Sequence, residues 1–159
     1  MSELIQHECG IAMLRLLKPP EYYAGKYGTA LFALNKMQLL MEKQHNRGQD
    51  GAGIACVKLD PRPGTRYINR IRSDSDSPIM EIFHSIHQGF NKAIKGRQEL
   101  LRDAQWLKQN AEFTGEVFLG HLRYGTFGGH GINAIHPVLR ENNWMTRNLV
   151  LAGNFNMTN

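Results

Sequence analysis

Apolar residues follow two rhythms along this chain. Residues 11–17, Ile-Ala-Met-Leu-Arg-Leu-Leu, form a short and nearly continuous apolar run, which predicts a buried β-strand. Lys18-Pro19-Pro20 ends it, because proline fixes φ and removes a backbone donor. Over residues 22–43 the rhythm changes. Ala30, Leu31, Leu34, Met37, Leu40 and Met41 recur at the three- and four-residue intervals of one helix face. Further strands are predicted at 53–59, 67–72, 116–121 and 148–152. Ser73-Asp74-Ser75-Asp76-Ser77-Pro78 is a polar connection whose proline suits a helix start. A helical pattern then runs over 79–110 with a break near Gly96, and 122–136 reads as a glycine-rich loop. Strands and helices alternate without a regular βαβ rhythm, so the expected class is layered α+β with antiparallel sheets. There are no internal repeats.

Composition narrows this picture. The chain suits one domain and has ordinary apolar content for a globular protein. The formal charge is +5, but lysines and arginines are spread along the chain, which argues against a nucleic-acid footprint and suits an anionic substrate. Two cysteines are too few for a disulfide framework and point to a reducing compartment. The acidic N-terminus lacks the apolar core of a secretory signal, and no apolar run approaches membrane-spanning length. A soluble, cytoplasmic protein is expected. Residues 154–159 read as a loop directly after an apolar strand, so this chain is expected to be the front part of a longer protein.

Four stretches carry candidate chemistry. In Glu8-Cys9-Gly10-Ile11-Ala12 a thiol stands at the mouth of the first predicted strand. Removal of residues 1–8 would give Cys9 a free α-amine, which could act as general base for its own thiol. A buried core cysteine is the plainer alternative. Arg47-Gly48-Gln49-Asp50-Gly51-Ala52-Gly53-Ile54 combines a fixed cation with glycines that allow close backbone approach, and it also reads as a simple helix-to-strand turn. Gly120-His121-Leu122-Arg123-Tyr124-Gly125-Thr126-Phe127-Gly128-Gly129 offers a guanidinium fork for a carboxylate, with the Thr126 hydroxyl near it. A solvated arginine in a flexible loop is the alternative there. In Gly153-Asn154-Phe155 an amide side chain and a neighbouring backbone N–H could bind an oxyanion, or form an Asn-rich turn. His84 and His87 stand at i, i+3 on a predicted helix. No cysteine or carboxylate set completes a metal site with them, and none is assigned.

In this order, the four stretches resemble the glutaminase domain of the class II glutamine amidotransferases, which are N-terminal-nucleophile hydrolases. Cys9-Gly10-Ile11 is similar to the family's nucleophile start, 47–54 to its Arg-Gly-Gln segment and 120–126 to its Gly-His-x-Arg-Tyr loop. Asn133-Ala134-Ile135-His136-Pro137 is similar to the segment that follows, and 152–156 to the strand end with the oxyanion asparagine. The resemblance spans 9–159, with 60–115 matching nothing in the family. It implies an αββα sandwich of antiparallel sheets, incomplete at the C-terminal end. The first, second, fourth and last strands (10–17, 52–59, 116–122, 148–153) would be adjacent, with helix 28–45 on one face. Residues 1–8 would be a leader and 9–159 the N-terminal part of a type 2 amidotransferase domain. Cys9 would be the nucleophile, with Arg47 against it. Arg123, Tyr124 and Thr126 would bind glutamine, and Asn154 with the Phe155 N–H would form the oxyanion hole. The family has glycine where Phe155 stands. The implied partners are glutamine and a downstream acceptor domain, with no nucleic acid or membrane and with self-association left open. No cofactor is implied in this chain, magnesium belonging with a phosphoribosyl-transfer domain. The branch that feeds purine synthesis is the nearest, beside the hexosamine- and glutamate-forming branches. A non-catalytic relative of the same fold, unable to turn over glutamine, is the competing reading, and a histidine metal module is a third.

Overall fold

The structure is a computed structural model that describes residues 8–125 and 131–155. In chain order the elements are β1 (Gly10–Arg15), α1 (Pro20–Tyr27), α2 (Phe32–Lys43), β2 (Ala52–Val57), β3 (Ile68–Ser73), α3 (Pro78–Ile94), α4 (Ala104–Asn110), β4 (Val117–Leu122), β5 (Val138–Arg140) and β6 (Leu149–Leu151). The class is α+β with antiparallel sheets. A four-stranded sheet has the order β1-β4-β2-β3, and β5 and β6 form a separate two-stranded sheet.

One face of the larger sheet is buried by helices. Ala12 and Leu16 of the first strand segment and Ile54, Cys56, Phe118 and Leu122 share one core with Leu34, Met37 and Met41 of α2 and Ile82, Phe83, Ile86, Phe90 and Ile94 of α3. Each such aliphatic or aromatic side chain, once fully buried, contributes roughly 1.5–3 kcal/mol. Gly120 of β4 leaves room for methionines of α2. A Cβ there would lie 2.5 Å from Met37 Cε and 2.8 Å from Met41 Sδ, so the glycine gives these methionine side chains the room they fill under α2. The opposite face is covered in part by the segment that leads into β5. Arg70 and Arg72 of β3 donate to the carbonyls of Pro137 and Ile135, at 3.5 and 3.0 Å. Gly53 admits the His136 carbonyl to within 2.1 Å of where its Cβ would stand.

Four expectations need correction. The helix over 22–43 (28–45 in the family-based reading) is two helices, because Gly28 takes a left-handed φ of 74° and caps α1, its N–H reaching Ala24 O at 2.9 Å. The strand 11–17 is buried on alternate residues only. It is an edge strand whose outward residues Ile11 and Met13 are 43% and 66% exposed. The strand at 148–153 is not a neighbour of the other three; β6 pairs with β5, a strand the sequence reading placed nowhere. The loop 122–136 contains a 3₁₀ turn at Ile132–Ala134. The proline start of α3 and the break near Gly96 stand as expected. Pro78 is the first helical residue, and Lys95 and Gly96 take positive φ values. No helix among the described residues is long and apolar enough to cross a membrane.

Candidate functional site

The sheet register gathers three of the sequence stretches. Leu122 of β4 faces Gly10 of β1 on one side and Ala52 of β2 on the other. Cys9, Arg123 and Gly51, the residues next beyond that row, therefore meet at one end of three adjacent strands. Here the Cys9 sulfur accepts from the Tyr124 backbone N–H at 3.5 Å and lies 3.8 Å from the Tyr124 carbonyl, toward which the thiol can donate. Cys9 is only partly buried.

The Arg47–Gly51 turn is fastened to the same loop. Arg123 N donates to Gly51 O at 2.8 Å, and Asp50 N donates to Arg123 O at 3.1 Å. Gly125 N donates to the Asp50 carboxylate at 2.7 Å. Gly48 packs flat on this backbone, since a Cβ there would stand 2.5 Å from both the carbonyl carbon and the oxygen of Arg123. Arg47 lies in a 3₁₀ turn (His45–Arg47), and its Cβ is 3.3 Å from where a Cβ on Gly10 would be. The contact lies on the residue after Cys9, with the Arg47 side chain largely exposed.

Arg123 is buried, and its guanidinium donates through Nη1 to Ala134 O at 2.7 Å. Tyr124 is half-buried. Thr126 lies outside the described residues, as do residues 1–7 of the expected leader.

Asn154 and Phe155 follow β6 on the second sheet, and Asn154 is exposed. Phe155 and the Gly153 backbone, though not Asn154, reach the first group through two histidines. The His136 ring binds the Gly153 backbone, with Nδ1 3.0 Å from its O and 3.4 Å from its N, and meets the His121 ring at 4.8 Å and the Phe155 ring at 4.9 Å in tilted contacts. Phe155 also covers Gly153, where a Cβ would come within 2.1 Å of its ring. Burial pushes the His121 imidazole down to about 4, and the neighbouring His136 and Arg123 act in the same direction. Burial lowers His136 too, partly opposed by its bond to Gly153. Both rings are therefore held neutral at physiological pH.

The structure thus brings Cys9, Arg123, Tyr124 and the Arg47 turn together directly, while Phe155 reaches them through the two histidine rings and Asn154 is exposed beside it. Sequence reasoning passed over Asp50, His121 and His136, although all three lie inside segments it had singled out. Among the described residues no group of three or more His, Cys, Asp or Glu side chains is placed to hold a metal. His84 instead pairs with Gln88 at 2.8 Å, and His87 sets its ring edge on Phe90. A cleft of about 800 Å³ opens behind Gly48 and Gln49, between α2 and α3, and neither Cys9 nor Arg123 lines it. No family model, curated protein or solved structure matches this chain.

Proposed function

We propose that this chain is the glutaminase part of a class II glutamine amidotransferase of the amidophosphoribosyltransferase kind, with an N-terminal-nucleophile αββα fold. The observation that carries the reading is the seat of Cys9. A part-exposed thiol at a strand mouth rests on the Tyr124 amide, in a loop that the Arg47–Gly51 turn holds by hydrogen bonds. The thiol, the arginine and the glycine turn are remote in sequence and adjacent in space, as one composite site requires.

In this reading the Cys9 sulfur attacks the side-chain amide carbon of glutamine. The α-amine of Cys9, free once residues 1–8 are removed, takes the thiol proton and returns it to the departing nitrogen, which leaves as ammonia. Water then cleaves the γ-glutamyl thioester to glutamate. The Arg123 fork, anchored by Ala134 O, clamps the substrate α-carboxylate, with Tyr124 and Thr126 beside it. Asn154 and the Phe155 N–H receive the oxyanion. Ammonia passes to a downstream acceptor domain, where magnesium chemistry belongs, and the protein works in the cytoplasm.

The decisive measurement is glutamine-dependent ammonia release by the chain joined to its natural downstream sequence. Release is expected, and it should vanish in Cys9→Ala; release that survives that change would refute the reading. Intact-mass analysis of the active protein is expected to show Cys9 as the first residue. One observation favours a non-catalytic relative instead. Phe155, where the family has glycine, covers Gly153 and packs beside His136. Absence of ammonia release from processed protein with Cys9 intact would select that reading.

A further inference from the structure

We infer that Asp50 is a positioning residue, whose carboxylate sets the Arg123–Tyr124–Gly125 loop against the Cys9 thiol. The inference rests on the reading of Cys9 and Arg123 as one site, and it adds a residue assigned no role there.

Asp50 holds the loop at two points with different atoms. Its backbone N–H binds Arg123 O at 3.1 Å, and its carboxylate oxygen Oδ2 accepts from Gly125 N at 2.7 Å. Tyr124 lies between these two points, and its own N–H meets the Cys9 sulfur at 3.5 Å. The residue that touches the thiol is therefore bracketed by bonds to a single aspartate. On the far side Arg123 N is fixed to Gly51 O at 2.8 Å, so the turn grips the loop from Arg123 to Gly125. Two of these bonds are backbone to backbone and do not depend on side-chain identity. The bond to Gly125 depends wholly on it. The bond lies at the surface, joining an amide to a carboxylate, and its donor sits where β4 has ended and no sheet partner remains. Gly125 fits this role sterically, since a Cβ there would come 3.3 Å from the same Asp50 oxygen.

Without the carboxylate, the loop keeps its anchor at Arg123 and loses the one at Gly125. The Tyr124 amide and the Arg123 side chain then sample more orientations. For a reaction that needs the thiol and the carboxylate clamp in fixed relation, this is a loss of orientation and not of any reacting group. Asparagine retains an acceptor oxygen at the same reach, so Asp50→Asn is the conservative rescue.

The test uses the chain with its downstream sequence and compares Asp50→Ala with Asp50→Asn. In Asp50→Ala, Gly125 amide exchange is expected to speed up about ten-fold and the KM for glutamine to rise about ten-fold, the scale of one lost charge-assisted bond. In Asp50→Asn both should return to within about three-fold of the parent on the same scale. Unchanged exchange and KM in Asp50→Ala would overturn the inference. So would a lowered melting temperature with KM unmoved, the mark of a merely structural residue. Should Asp50→Ala fail to fold, Asp50→Glu carries the test, because it keeps the charge and displaces the oxygen by one methylene. Should the parent itself release no ammonia from glutamine, the glutaminase reading fails separately. Exchange at Gly125 and the rate of Cys9 alkylation by iodoacetamide then decide the role of Asp50: a change in both upholds it, and no change in either, or in only one, overturns it.

Discussion

The two cysteines have opposite surroundings, and that difference is measurable. Cys56 is completely buried in β2; its sulfur accepts from Gly115 N at 3.1 Å, and burial pushes its thiol up to about 12. Cys9 is part-exposed. A thiol reagent at pH 8 should therefore modify one cysteine quickly in the native protein and two after unfolding in guanidinium. Two fast thiols in the native state would contradict this packing. The glycines separate in the same way. Gly48→Ala forces a Cβ to 2.5 Å from the Arg123 backbone and should cost about 1–3 kcal/mol in urea unfolding. Gly25→Ala, exposed inside α1 with nothing within 4 Å of the new Cβ, should stabilise by roughly 0.5–1 kcal/mol. At this scale the nearness of Cys9 to the Arg123–Gly125 loop was legible only from the ordered set of stretches, since a lone cysteine at a strand mouth reads equally as a core residue. Asp50 was not, because an aspartate in a glycine-rich turn looks like turn chemistry until its partner across 75 residues is seen.

Among the elements, β5 and the α1–α2 break escaped the sequence pattern for physical reasons. Three residues directly after a proline are too few to show a period of two, and a single glycine inside a helical rhythm is commonly tolerated. The strong rhythm of α3 and the turn residues around it made that helix legible at both ends. The second sheet has its own pH signature, because it is seated on His136, which stacks on His121. The ordinary value near 6.5 applies to the unfolded chain, and His121 falls to about 4 on folding. A depressed folded value means that stability is fully present above 6.5 and is lost as pH falls toward 4. The loss should be on the order of 3 kcal/mol, with His136 adding in the same direction. Urea midpoints measured between pH 7.5 and 4 should show this slope, and His121→Phe should flatten it. An equal slope in that variant would place the acid sensitivity elsewhere.

For the molecule as a whole, the class was readable from the alternation of strands and helices, whereas the sheet order was not. Strand order is decided by pairings between distant segments, and periodicity within a segment carries no record of them. The pairing of β1 with β4 has a consequence for how the chain is made. The first strand leaves the ribosome long before its partner, which follows about a hundred residues later. At roughly 5–20 residues per second, β1 waits on the order of 5–20 s with Ile11, Met13 and Leu14 unpaired. During that interval the contact between Cys9 and the Tyr124 backbone does not exist, because β4 brings the one to the other. The nascent chain is therefore most open to strand-to-strand aggregation until residue 125 has emerged.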